Sequence, residues 1–319
     1  MSRTFDQQIK ANKRLSLFYC FLVIVVLAGL GGAVLLYYSP ENWLIGMAGA
    51  AVLGLIVAIV AWTSGSDIVL KLAKARTATA LELQVVENVT EEMAIAAGIP
   101  PPKVYIIDDP SPNAFATGRR PERAYVVVTT GLIEILNREE LQGVVAHEVA
   151  HIRNNDIKLM TTLAIVAGLV PLISHMFLRS MWYGGGRRSR DSGGGVLMII
   201  GIALAILAPL FAMLLKLAVS RKREFMADAT AVELTRNPDG LVSALTKLSK
   251  PKTKLKVATR ATEHMYIINP LKPLQRRRSW FSTHPTLEAR VIALKGMAGL
   301  SYERQQAMEA AAAQQESAD

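Results

Sequence analysis

Two uncharged apolar runs, Leu15–Tyr38 and Trp43–Trp62, lie near the start of the chain, separated only by Ser39-Pro40-Glu41-Asn42. Each approaches or exceeds the ~20 residues a helix needs to cross the ~30 Å hydrocarbon core of a bilayer. So short a turn leaves room only for a reversal, and the pair reads as an antiparallel membrane hairpin. The first run is longer than the apolar core of a signal peptide, and no small-residue cleavage site follows it, so it reads as a retained anchor. Gly29, Gly31 and Gly32 fall mid-run, where small residues let helices pack closely.

Basic residues orient the hairpin. Arg3, Lys10, Lys13 and Arg14 precede the first run, Lys71, Lys74 and Arg76 follow the second, and the turn between has no Lys or Arg. The positive-inside tendency puts the N-terminus and everything after Trp62 in the cytoplasm. The net charge of +10 is therefore read as juxtamembrane charge facing anionic lipid, with no nucleic-acid partner. A single cysteine, Cys20, excludes an intrachain disulfide and a cysteine-rich zinc site.

A second pair of apolar runs, Leu159–Leu178 and Val196–Val219, is joined by a loop carrying Arg187, Arg188 and Arg190. It reads as a further transmembrane pair, the alternative being two helices packed on the protein or dipping into the bilayer. Pro171, His175 and the loop arginines weigh against spanning. The resulting organisation is a cytoplasmic N-terminus over 1–14, a transmembrane hairpin over 15–62 and the first half of a catalytic domain over 63–156. The apolar pair over 157–219 follows, then the second half of the domain and a C-terminal tail over 220–319. In the polar parts, Thr77–Ala97 has helical periodicity and stops at Gly98. Lys103–Ile107 and Ala124–Thr129 alternate or branch like strands, so a small sheet precedes the next helix. The fold class expected is a mainly α-helical integral membrane protein with a zincin-like α+β catalytic domain carrying a small β-sheet.

The residues that carry chemistry begin in that next helix, expected over Arg138–Asn154. Asn137 caps it and Glu140, three residues on, completes a capping box. Inside it stands His147-Glu148-Val149-Ala150-His151. A spacing of four puts both imidazoles on one helix face, where both can reach one metal ion. Glu148 projects beside them, able to take a proton from water and later return it to a leaving amine. The flanking residues are apolar, and a buried helix does not carry this set without a partner for its charge. A third ligand is needed. Glu224 and Asp228, four apart, share a helix face, and Glu224 is assigned as ligand with Asp228 holding a ligand histidine. The alternative is that both acids pair with Arg221, Lys222 and Arg223 on a solvated face.

Five blocks in order resemble the HtpX-type membrane zinc peptidases, relatives of the CAAX prenyl endopeptidases. They are Asn113-Ala114-Phe115-Ala116-Thr117-Gly118, Val128-Thr129-Thr130-Gly131-Leu132, the His147–His151 block, Glu224-Phe225-Met226-Ala227-Asp228, and His284-Pro285 with Arg290. The resemblance implies one Zn2+ per chain held by His147, His151 and Glu224. It further implies that His284 stabilises an oxyanion and that Arg290 holds the site's geometry. Read from the residues alone, His284-Pro285 is the start of a helix through Leu294. By the same resemblance Asn113, Ala114, Phe115 and Ala116 form an edge strand that pairs with an extended peptide. The implied activity is a zinc metalloendopeptidase of a bacterial inner membrane. It would cut misfolded membrane proteins at the cytoplasmic face, in quality control and stress response. A narrower processing protease is the runner-up. Intact Glu148 disfavours a non-catalytic scaffold, and the uncharged first two runs disfavour a metal transporter. Oligomeric state is left open.

Overall fold

The computed structural model describes residues 5–165, 168, 221–250, 254–259, 262–271 and 285–297. Helix α1 runs Phe5–Tyr38 and α2 runs Trp43–Leu72, joined by a single 3-10 turn at Pro40–Asn42. The helices touch where the sequence is smallest. A Cβ at Gly31 would collide with the Gly46 carbonyl and the Ala50 Cβ, so glycine is required for this approach. Gly29, by contrast, faces open space. Among the described residues one helix, Pro40–Leu72, is long and apolar enough to cross a membrane. The apolar stretch described in α1, Arg14–Gly29, is shorter than that length. Beyond Ile165, the second apolar pair lies outside the described residues, Gly168 apart.

The hairpin does not end at a linker. Past Trp62 the same helix continues, and Gly65, Ser66, Val69 and Leu70 are buried. Val69 and Leu70 pack on one face of a four-stranded sheet of order β1-β2-β4-β3. Its strands are β1 (Arg76–Thr77), β2 (Lys103–Ile107), β3 (Ala114–Gly118) and β4 (Ala124–Thr129). β2 and β4 are parallel, and β1 and β3 run antiparallel to their neighbours. Alternation along the strands divides the core. Val104, Ile106, Ala114, Ala116, Val126 and Val128 meet one set of helices. Ile107, Phe115 and Val127 meet Val69 and Leu70 of α2 and Met160 and Ala164 of the next helix on the other side. With both faces covered, β4 is apolar almost throughout, as buried strands are.

On the first face lie α3 (Ala80–Ala97), a short α4 (Thr130–Ile135) and α5 (Arg138–Arg153). α6 takes residues 156–165. Beyond come α7 (Arg221–Thr235), α8 (Pro238–Leu248) and α9 over residues 287–297. α5 is the central helix. Val144, Val145 and Val149 are fully buried, each contributing about 1.5–3 kcal/mol. Gly143 lets α8 lie directly on it, since a Cβ there would stand 2.8 Å from the Leu241 nitrogen.

The expected capping box is present: Asn137 accepts from the Glu140 amide, and Glu140 accepts from the Asn137 amide. The same carboxylate accepts from Ser243 Oγ at 2.6 Å and Lys247 Nζ at 2.7 Å, tying α5 to α8. Glu140→Ala is expected to cost about 2–3 kcal/mol in denaturant unfolding. Burial would raise this pKa, but Lys247, Ser243 and the Asn137 amide outweigh it and hold it below the usual value. A lowered carboxylate stabilises above its unfolded pKa of about 4.3 and loses that contribution as pH falls through the folded value. The gap between parent and variant should therefore close on acidification below about pH 4; a gap unchanged into acid would refute the assignment.

Candidate metal centre

α5 presents His147 and His151 one turn apart, their rings 4.8 Å between centroids and nearly perpendicular. α7 packs against that face through Ala227 and Ala231, both buried. Such small side chains let the helices approach and bring Glu224 over the histidines. Glu224 Oε2 lies 3.9 Å from His147 Nε2, and Oε1 lies 3.7 Å from His151 Nε2. The three donor atoms lie within 4.8 Å of one another, and all three residues are buried. Tetrahedral zinc with bonds of 2.0–2.2 Å needs ligand atoms about 3.4 Å apart. The carboxylate-to-imidazole spacings thus exceed that by about half an ångström or less, and they are too long to be hydrogen bonds.

The outer faces of the imidazoles fix which nitrogen is free. His147 Nδ1 stands 2.9 Å from Asp228 Oδ1, and His151 Nδ1 stands 3.1 Å from Asp156 Oδ2. A carboxylate only accepts, so each Nδ1 carries a proton, and each Nε2 is the nitrogen turned towards Glu224, where a metal would take the place of any second proton. Carboxylate–histidine pairs of this kind orient metal ligands and raise their basicity. Asp228 is itself held by Arg290, whose Nε and Nη2 donate to its two oxygens at 2.8 and 2.6 Å, while Nη1 donates to the Ile267 carbonyl at 3.0 Å. Burial pushes Asp228 up, but the Arg290 charge and hydrogen bonds from His147 and Arg290 hold it at about 2. Burial works against a charged His151, yet Asp156, Glu224 and Glu148 together lift it to about 9. At His147 burial prevails and the pKa falls.

Glu148 is the outlier. Both its carboxylate oxygens are buried without a hydrogen-bond partner among the described residues. Burial lifts it to about 7, with His151 pulling down and Glu224 pushing up. The Ala116 amide also acts to lower it, although it closes no hydrogen bond of good geometry. A buried carboxylate with no donor calls for a ligand or water that supplies one. With two imidazole Nε2 atoms and a carboxylate converging beside it, the residues fit a metal.

Residues 80–298 match the sequence profile of peptidase family M48. The chain belongs to that family. It is 42% identical over 302 residues to the protease HtpX homolog of Caldanaerobacter subterraneus subsp. tengcongensis, covering 92% of this chain and 98% of that one. To the protease HtpX homolog of Dictyoglomus thermophilum it is 44% identical over 294 residues, covering 92% and 95%. A crystal structure of S. mikatae Ste24p aligns with a TM-score of 0.48 at 21% identity, over 90% of this chain and 66% of that one. The chain is thus a metalloendopeptidase.

Of the residues singled out in the sequence, the peptidase brings His147, Glu148, His151, Glu224, Asp228 and Arg290 into one cluster. His284 lies outside the described residues. β3 is an edge strand, and its pairing decides which groups face outward. Asn113 O accepts from Thr129 N on the β4 side, and bonding direction alternates along the strand, so Ala114 and Ala116 turn outward. Ala114 O already accepts from Ile267 N, and Asn113 Nδ2 donates to the Ile268 carbonyl. The Phe115 ring is turned to the opposite face, against Tyr266. Asp156 is the residue sequence reasoning missed. Its one sequence signal is an acid five places after His151, where α5 ends and Asn155 turns the chain at φ 55°.

Proposed function

We propose a zinc-dependent endopeptidase anchored in a bacterial inner membrane, with its site on the cytoplasmic side. It cuts peptide segments of membrane proteins, misfolded ones among them, in quality control and stress response. The observation that carries the catalytic reading is Glu148, buried and unpartnered beside three convergent donors. When bound, zinc supplies Lewis acidity, polarising a carbonyl and lowering the pKa of water. His147, His151 and Glu224 would hold it. Glu148, buried beside them with neither oxygen satisfied, takes a proton from the attacking water and returns it to the leaving amine. Asp228 and Asp156 hold the imidazoles in the ligating tautomer, and Arg290 holds Asp228. His284 is assigned to the oxyanion. On β3, the backbone of Ala116 is the group nearest this chemistry that still faces outward, and an extended substrate would pair there.

Continuity of α2 from its apolar run into the sheet supports action close to a bilayer. Lys158 Nζ over the Trp62 ring, 3.2 Å from its centroid, suits the end of a span, where a cation and an indole meet headgroups. The test uses purified full-length protein with its zinc content measured. It is offered one unfolded segment either free in solution or tethered to a membrane helix in the same vesicles. Zinc near one equivalent and faster cutting of the tethered form are expected. Equal cutting of both would remove the membrane-substrate reading, and zinc-free protein that cuts would remove the zinc reading.

A further inference from the structure

We propose that Asn12, in the first turns of the anchor helix, is a positioning residue of the metal site. The inference rests on the zinc reading above. Asn12 belongs to α1, three residues before the apolar run, far in sequence from every ligand. Its side chain nonetheless reaches both helices that carry them. Nδ2 donates to Asp156 Oδ1 at 2.7 Å and, more weakly, to the Asn154 carbonyl at 3.4 Å. Oδ1 accepts from Arg223 Nη1 at 3.3 Å. Asn154 closes α5, and Arg223 immediately precedes Glu224 in α7.

The chemistry of Asp156 makes this more than a tether. Its Oδ2 receives His151 Nδ1, and its Oδ1 receives Asn12. One carboxylate thus hands the orientation of an anchor-helix amide to a metal ligand. Arg223 Nη1 also stands 3.9 Å from Asp156 Oδ1, so amide and guanidinium together fix the carboxylate plane. The amide orientation is determined too. Its donor end faces acceptors and its acceptor end faces a donor, and a flipped amide would set oxygen against oxygen. Neighbouring Ser16 is buried and donates to the Asn12 carbonyl at 2.9 Å, so this part of α1 is seated in the catalytic body. Outer partners of this kind are worth 10- to 100-fold in metal affinity elsewhere.

The experiment is zinc release from full-length protein in lipid nanodiscs, followed with a chromophoric chelator. A Glu148→Gln background prevents self-cleavage, and Asn12→Ala, Asp156→Ala and the double variant are compared. Release is expected to quicken about tenfold in Asn12→Ala and at least as much in Asp156→Ala. The double variant should release no faster than Asp156→Ala, because Asn12 acts through that carboxylate. Lys10→Ala, exposed on the same turn of helix, should match the parent. Parental release from folded Asn12→Ala, or effects that multiply in the double variant, would reduce Asn12 to a tether and overturn the inference. If Asn12→Ala does not fold, Asn12→Asp keeps the size and the Arg223 partner but sets a second carboxylate against Asp156. Its release should be fast and be slowed by adding Asp156→Asn; absence of that rescue would equally overturn it. A parent protein that holds no zinc would instead sink the proposed function, and this inference with it.

Discussion

Glu148→Gln should lower peptide cleavage by about 10²- to 10⁴-fold while the protein keeps its zinc. The amide has nearly the shape of the carboxylate but cannot take a proton from water. Glu148 is not among the three convergent donors, so the metal has no reason to leave. A second effect has the opposite sign. In the metal-stripped protein Glu148 is a buried carboxylate with neither oxygen satisfied, and removing its charge removes a desolvation penalty. The stripped variant is expected to unfold later than the stripped parent, by about 1–3 kcal/mol. Loss of activity with gain of stability is the mark of a residue kept for chemistry. Cleavage within tenfold of the parent, zinc being equal, would take Glu148 out of the reaction.

At Arg290 both stability and metal retention should fall. Arg290 is 3% exposed, and its guanidinium makes a two-pronged contact with Asp228 while reaching Ile267 O. Arg290→Met leaves Asp228 buried with His147 alone. Breaking a buried pair by removing one partner costs about 3–5 kcal/mol, read as a lower unfolding midpoint. With Asp228 no longer held, His147 is freer to turn, and zinc affinity should fall 10- to 100-fold. Arg290→Lys keeps the charge but offers a point donor in place of a planar fork. It should recover part of the stability and little of the zinc affinity. An unchanged midpoint in Arg290→Met would mean that the pair contributes nothing net.

The sequence made the ligand helix legible because all its cues are local. Asn137 and Glu140 mark its start, and the histidine spacing marks its face. Glu224 and Asp228 were legible as a pair sharing a face, but nothing local chose between a buried site and a solvated one. That choice is made by Ala227 and Ala231, which let α7 lie close against α5. Asp156 escaped because helical periodicity ends at Arg153, and only the left-handed turn at Asn155 brings it back beneath His151. Asn12 could not be seen at all, since its partners lie more than a hundred residues away. The start of the third apolar run was ambiguous for another reason. Leu159, Met160, Leu163 and Ala164 are buried against protein, and an apolar residue carries no mark of whether lipid or protein will cover it. β1 is too short for any pattern.

An unbroken α2 has a bearing on which substrates are within reach. In the proposed membrane setting the apolar run of α2 ends at Trp62, over which Lys158 sits, two residues after Asp156, the partner of His151. The helix continues from there without a joint, so the cleft would be held at a set height, close to the hydrocarbon edge. An extended chain covers about 3.3 Å per residue, so a neighbour in the same bilayer would need to release only a short stretch of chain for a bond to arrive. Domains folded tight against the membrane would stay uncut. Loosening of a neighbour's exposed segment would then itself be what marks it for cutting, with no recognition sequence required.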